Sequence, residues 1–254
     1  MNEGLPLASA TAAVGRLADV WVYLSASPLL WLTTTLLVYQ VTFVAYRRSG
    51  FHPLANPVAL SVMVLGALLW ITGTPYATYF EGAQFVHFLL GPATVALAVP
   101  LFEQLARLKR LWLPMLGALV VGTLAATVTA IGVGWTLGAT KVTMASLAPK
   151  SVTAPVAMGI SEQIGGLPTL TAVLVVCTGI LGAASARYLF DALRIHDPTV
   201  RGFALGTAAH GIGTARAFQV SDKMGAFAGL AMGLCALFSA VALPLVAGWL
   251  LRWV

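Results

Sequence analysis

Two short stretches combine charged, hydroxyl and helix-breaking residues inside otherwise apolar sequence. The first is Pro149-Lys150-Ser151-Val152-Thr153-Ala154-Pro155. A lysine in an apolar run is expensive to bury in lipid. It marks a functional site unless it snorkels to an interface. Prolines at 149 and 155 interrupt a continuous helix, and the backbone groups they free must face protein or water. Lys150, Ser151 and Thr153 then offer one positive charge and two hydroxyls beside unwound backbone, a combination that suits a small carboxylate.

The second stretch is Gly206-Thr207-Ala208-Ala209-His210-Gly211-Ile212-Gly213-Thr214-Ala215-Arg216. His210 and Arg216 are the ionisable residues in the interior of this run. A guanidinium can clamp a carboxylate through two parallel N–H bonds. An imidazole titrates near neutral pH and can relay a proton. Thr207 and Thr214 add hydroxyls. The alternative is tight helix packing through the small residues, with Arg216 at an interface. Glu162, in Ser161-Glu162-Gln163-Ile164-Gly165-Gly166, is the acid expected nearest this chemistry, either paired with Lys150 or binding a coupling cation. Thr94 follows the Gly91-Pro92 break and is a further candidate hydroxyl.

The elements that hold these groups must be membrane helices. The chain is 59% hydrophobic and 9% charged with a mean hydropathy of +0.91, against roughly 25% charged residues in a soluble domain. Spans of about 20 apolar residues are expected at 29–46, 55–73, 84–103, 111–137, 167–187, 199–218 and 224–251. Segment 143–160 is shorter and either crosses or is re-entrant. The expected fold is therefore an all-α, polytopic helix bundle with about seven to eight transmembrane segments and broken helices. Trp31, Trp70, Trp112, Trp135, Trp249 and Trp253 fall near span ends, where interfacial tryptophans belong. Glu81 with Tyr76 and Tyr79 reads as an external loop.

Arg47, Arg48, Arg107, Lys109, Arg110, Arg187, Arg194, Arg201 and Arg252 share one side only if 143–160 enters and leaves on the same face. That favours the re-entrant reading and opposed repeat halves of about 55–137 and 167–251. Interrupted segments at matching places in opposed halves point to a transporter's binding site. Residues 1–27 read as an amphipathic N-terminal extension, and 28–254 as one transmembrane domain. Glu3, Arg16 and Asp19 leave no uninterrupted apolar core for a signal peptide. Cys177 and Cys235 read as buried small residues.

Enzyme signatures are missing from the sequence: no G-x-S-x-G, no H-E-x-x-H, no P-loop. The expectation is a protein that is not an enzyme, with no catalytic residue, metal ligand or cofactor and no nucleic-acid partner. A proton or sodium ion is the expected coupling species.

Four segments carry a resemblance: Thr72-Gly73-Thr74-Pro75-Tyr76; residues 90–101 (LGPATVALAVPL); residues 149–155 continuing to Ser161-Glu162-Gln163-Ile164-Gly165-Gly166; and residues 206–216. On these motifs the chain resembles the LrgB/CidB/YohK membrane proteins over roughly residues 30–254. The resemblance implies two functions. One is antiholin-like regulation of murein hydrolase activity and cell lysis with an LrgA/CidA-type partner. The other is carriage of glycolate and glycerate, as in the plastid translocator whose LrgB-like part is fused to an LrgA-like part, or of pyruvate. It also implies a multi-pass protein of the bacterial cytoplasmic (inner) membrane. The cationic chemistry favours an alternating-access carrier of small monocarboxylates (glycolate, glycerate, lactate or pyruvate type), working by an elevator or rocking motion. A homodimer would supply the fixed scaffold.

Overall fold

The computed structural model describes residues 27–52, 55–89, 92, 95–96 and 98–253. The N-terminal extension and Thr94 lie outside the described residues, apart from residue 27. All regular structure among the described residues is helical. The chain forms two compact units, Met1–Thr94 and Val95–Val254.

In the first unit, α1 (Pro28–Arg48), α2 (Pro57–Thr72) and α3 (Tyr76–Phe88) pack together. Asn56 caps α2, its side-chain oxygen accepting from the N–H groups of Val58 and Ala59 at 3.0 and 3.2 Å. Gly73, with φ +64°, ends that helix in the left-handed conformation. Thr42 and Ser61 hydroxyls meet at 2.8 Å and join α1 to α2. Trp31 is 1% exposed and packs edge-on against Tyr79, with ring centroids 5.8 Å apart. It is therefore a core anchor, while the other five tryptophans assigned to interfaces are exposed. Tyr76, Tyr79 and Glu81 lie on α3 rather than in a loop.

The second unit contains α4 (Ala98–Glu103), α5 (Leu105–Thr136), α6 (Lys141–Leu147), α7 (Ala154–Gln163), α8 (Pro168–Ala192), α9 (Pro198–Val220) and α10 (Asp222–Leu250). Helices α1, α5, α8 and α10 are long and apolar enough to cross a membrane. The expected span 84–103 includes residues of α3 and α4, and its residues 90–91, 93–94 and 97 lie outside the described residues.

α6 and α7 form a first hairpin. Lys150 N–H donates to Leu147 O, and Val152 N–H donates to Pro149 O, both tight turns rather than helix continuation. Pro155 then occupies the first turn of α7, where its missing N–H costs nothing. The two arms return to the same place. Thr171 Oγ1, in the first turn of α8, lies 2.7 Å from Ser161 Oγ and 3.0 Å from Ser146 O. Leu167 N–H donates to Ser146 Oγ at 2.8 Å. Residues 146 and 161 are thus brought together at the opening, and 148–153 form the tip.

α9 is a second hairpin, which corrects the expectation of a span at 199–218. Ala209 (φ −125°, ψ 16°) and His210 (φ 40°, ψ −131°) break it into arms 198–208 and 211–220. A Cβ on Gly202 or Gly206 would overlap the carbonyl oxygens of Met224 and Ala228, so the first arm runs in the direction of α10. Thr214 Oγ1 lies 3.8 Å from Met232 Sδ, and Phe218 packs on Gly225, so the second arm runs the opposite way. Each arm is only ~15 Å long, too short to cross a ~30 Å hydrocarbon core. The glycines at 206, 211 and 213 signal an interruption in the sequence but not a reversal, and the turn itself falls on non-glycine residues.

The two hairpins open at opposite ends of α8, a helix ~37 Å long. The first opens at its N-terminal end, around Thr171. The second opens at its C-terminal end, where Arg201 pairs with Asp191. Ile131, Met144, Ala148 and Ala247 share one apolar cluster, which places the C-terminal ends of α5 and α10 at the opening of the first hairpin. Ala186, Phe190, Leu205, Ala217 and Met224 share another at the opening of the second. Lys109, Arg110, Arg187, Arg194 and Arg201 therefore lie at one end of this unit, and Arg252 lies at the other, not with them. With Cys177 replaced by serine, Lys141→Cys and Trp253→Cys are expected to react with an impermeant maleimide from one side of membrane vesicles. His196→Cys is expected to react from the opposite side only. Labelling of all three from one side would refute the opposed-hairpin arrangement.

Candidate functional site

Both hairpin tips reach the middle of the second unit. His210 Nε2 lies 2.9 Å from Val175 O, and Ala209 and His210 pack on Gly182 and Gly179 near the centre of α8. Val152, from the other tip, belongs to the same buried apolar cluster as Val175, Leu119 and Cys235. Thr127 Oγ1 donates to Ala148 O at 3.4 Å and ties the approach to the first tip to α5.

The polar groups of the two tips differ in how they are satisfied. On the second hairpin they are engaged internally. Thr207 Oγ1 donates to Phe203 O at 2.9 Å, Thr214 Oγ1 donates to His210 O at 2.8 Å, and His210 is 5% exposed with its ring on Val175 O. On the first hairpin they are uncommitted. Ser151 is buried, and Lys150 and Thr153 are half-buried. None of their side chains hydrogen-bonds or ion-pairs with a described residue, and Thr153 stands at the N-cap of α7 without a side-chain cap bond. The positive end of the α7 dipole adds to the Lys150 charge there.

Lys150 and Arg216, expected to share a pocket, do not. Arg216 lies on the returning arm of the second hairpin, beyond Thr214 and towards the opening. It donates to Gln219 Oε1 at 3.2 Å and lines a cavity of about 240 Å³ with Arg187, Asp191 and Arg201. Lys150 is not part of that lining. Glu162 is exposed in the last turn of α7, at the opening of its hairpin, and forms no ion pair with Lys150. Cys177 is exposed, contrary to expectation, while Cys235 is buried.

Of four central residues, Thr123, Thr127 and Ser239 were not singled out from the sequence, and Cys235 was read there only as a buried small residue. Thr123 Oγ1 lies 3.6 Å from Cys235 Sγ, which lies 3.8 Å from Ser239 Oγ and 3.9 Å from Thr207 O. With Thr127 they form a buried polar belt facing the tips. Their one sequence signal is spacing: 123/127 and 235/239 are i, i+4 pairs of small polar residues on long helices. A larger groove of about 430 Å³ runs between α5 and the first arm of α9, from Leu111 to Ala126 and from Thr199 to Ala208. Its lining is apolar except for Thr199 and Thr207, so it holds no charge for an anion. No group of histidine, cysteine, aspartate or glutamate among the described residues has the arrangement of a metal site.

The helices and their exposed apolar surfaces define a polytopic α-helical membrane protein whose interior is built around broken segments. The family model of the LrgB-like family matches residues 35–249, and the chain belongs to that family. It is 36% identical to the YwbG protein of Bacillus subtilis (strain 168) over 211 residues, 83% of this chain and 93% of the relative. It is 30% identical to the antiholin-like protein LrgB of Bacillus mycoides (strain KBAB4) over 220 residues, 86% and 95% of the two chains. No solved structure matches it.

Proposed function

We propose that the protein is a secondary transporter of small monocarboxylates of the glycolate, glycerate, lactate or pyruvate type, in the bacterial cytoplasmic membrane. The observation that carries this reading is the uncommitted set at the first tip: the Lys150 ammonium and the Ser151 and Thr153 hydroxyls, beside the start of α7. A carboxylate there meets a full positive charge, two hydroxyl donors and a helix dipole. Interrupted hairpins entering from opposite ends are the arrangement in which alternating access can pass such a site from one side to the other. His210, across the bundle at the second tip, is the group placed to carry a coupling proton. Sodium coupling, a homodimeric scaffold and elevator rather than rocking motion belong to the same proposal.

The test is uptake of radiolabelled glycolate into liposomes holding purified protein, under proton and sodium gradients. Lys150→Ala is expected to lower the initial rate at least ~10-fold, since a charge-assisted hydrogen bond contributes about 1.5–3 kcal/mol. Unchanged uptake in Lys150→Ala would remove the site from the first tip. Failure of the wild-type protein to move any carboxylate would remove the carrier reading altogether.

The names of the LrgB relatives favour a second reading, antiholin-like regulation of cell lysis with an LrgA/CidA-type membrane partner. In that reading the tips serve a conformational role, and loss of Lys150 alters lysis in cells while liposomes show no flux.

A further inference from the structure

The apolar groove between α5 and the first arm of α9 has a polar mouth. On α5 the groove follows one row of residues four apart: Pro114, Ala118, Gly122 and Ala126. Arg110 precedes Pro114 on that row, one turn nearer the cationic end of the unit. It is exposed, and it ion-pairs with no described residue. On α9 the groove begins at Thr199, which is 5% exposed. Thr199 Oγ1 is the one buried side-chain oxygen or nitrogen without a hydrogen-bond partner among the described residues, and such a group is costly to leave unmatched. The neighbouring carboxylate, Asp197, caps α9 by accepting from Thr199 N–H at 2.6 Å. From Leu111 to Ala126 the groove is ~22 Å long. One bilayer leaflet with its headgroups is ~20–22 Å deep. The groove thus runs from headgroup level to the middle of the bilayer, which is the path of a lipid chain.

We propose that this groove holds one acyl chain of an acidic glycerophospholipid, with the anionic headgroup against Arg110 and the glycerol ester oxygens beside Thr199. The chain covers Ala204 and Ala208, the exposed side of the first arm. The headgroup supplies the negative charge that Arg110 lacks, and an ester oxygen supplies the acceptor that Thr199 lacks. The site does not depend on what the first tip carries.

The test is native mass spectrometry of the purified, delipidated protein, titrated with phosphatidylglycerol or with phosphatidylcholine of the same acyl chains. The expected result is one saturable site that takes phosphatidylglycerol ~5-fold more tightly, the gain from one cation at a membrane surface. Arg110→Gln should remove that preference, and Arg252→Gln, at the other end of the unit, should keep it. Ala118→Trp, which fills the groove from an exposed position, should remove the site for both lipids. Thr199→Val should raise the unfolding temperature of the delipidated protein by deleting the unmatched hydroxyl, and the gain should vanish once phosphatidylglycerol is bound. Arg110 is exposed, so its variant keeps the fold should Ala118→Trp not. Equal affinity for the two lipids, a preference that survives Arg110→Gln, or unchanged binding in Ala118→Trp overturns the proposal. So does a dimer that binds no lipid and that Ala118→Trp dissociates, which would make a second copy the occupant.

Discussion

Gly206→Val is expected to leave little folded protein, while Gly211→Ala, five residues on, is expected to fold normally. A Cβ at Gly206 would overlap the backbone carbonyl of Ala228 on α10. A carbonyl inside a continuous helix cannot swing aside as a side chain can, so the first arm of the hairpin must lift off α10 along its length. Overpacking of a tight core costs about 1–3 kcal/mol where side chains yield, and backbone that cannot yield puts this case at ~3 kcal/mol or more. At Gly211 an added Cβ meets only Met232 Sδ, at 3.9 Å, and its φ is not in the left-handed region. Alanine there gains about 0.5–1 kcal/mol of helix preference over glycine. Size-exclusion profiles and unfolding temperatures of the two variants give the comparison. Equal behaviour would mean that α9 and α10 do not pack as described.

The same contrast marks how much of the architecture was legible in the chain itself. Pro149 and Pro155 announce the first hairpin because proline cannot continue a helix, and the cationic residues at 107–110 and 187–201 argue for a re-entrant segment there. The second hairpin carries a weaker signal: Gly206, Gly211 and Gly213 mark an interruption without marking a reversal. Its turn falls on Ala209 and His210, inside an apolar run of span length, and the glycines around it read equally well as a packing motif. Folding that run back on itself moves Arg216 from an expected partner of Lys150 to the hairpin opening. It also reverses the exit of α10, which separates Arg252 from the other cations. The polar belt of Thr123, Thr127, Cys235 and Ser239 was illegible for another reason. Single hydroxyls and thiols on apolar helices are common, and only the convergence of α5, α10 and the tips gives these four a shared location.

His210 supplies the sharpest test of that turn, because two rules of helix chemistry oppose each other at it. Glycine in a regular helix is less stable than alanine by about 1 kcal/mol. Here the order is expected to invert. Histidine at φ 40°, ψ −131° sits in a conformation that glycine adopts freely and other residues adopt at a cost of order 1–3 kcal/mol. It is held by burial and by the ring contact with Val175 O at 2.9 Å, a bond worth about 0.5–1.5 kcal/mol. His210→Ala loses the bond and keeps the strain. His210→Gly loses the bond and releases the strain, so it should unfold at the higher temperature of the two. Asparagine, which tolerates positive φ better than most residues, should fall between them. Alanine proving the more stable would mean that the chain passes 209–210 as ordinary helix and that the second hairpin is absent. Transport separates from stability in the same variants. If the imidazole carries a proton during the cycle, the glycine variant stays folded while proton-driven uptake falls at least ~10-fold, the low end of what a positioned proton-transfer group supplies elsewhere being about 100-fold. A glycine variant that unfolds like wild type and transports like wild type would leave His210 as a turn residue only, with the chemistry confined to the first tip.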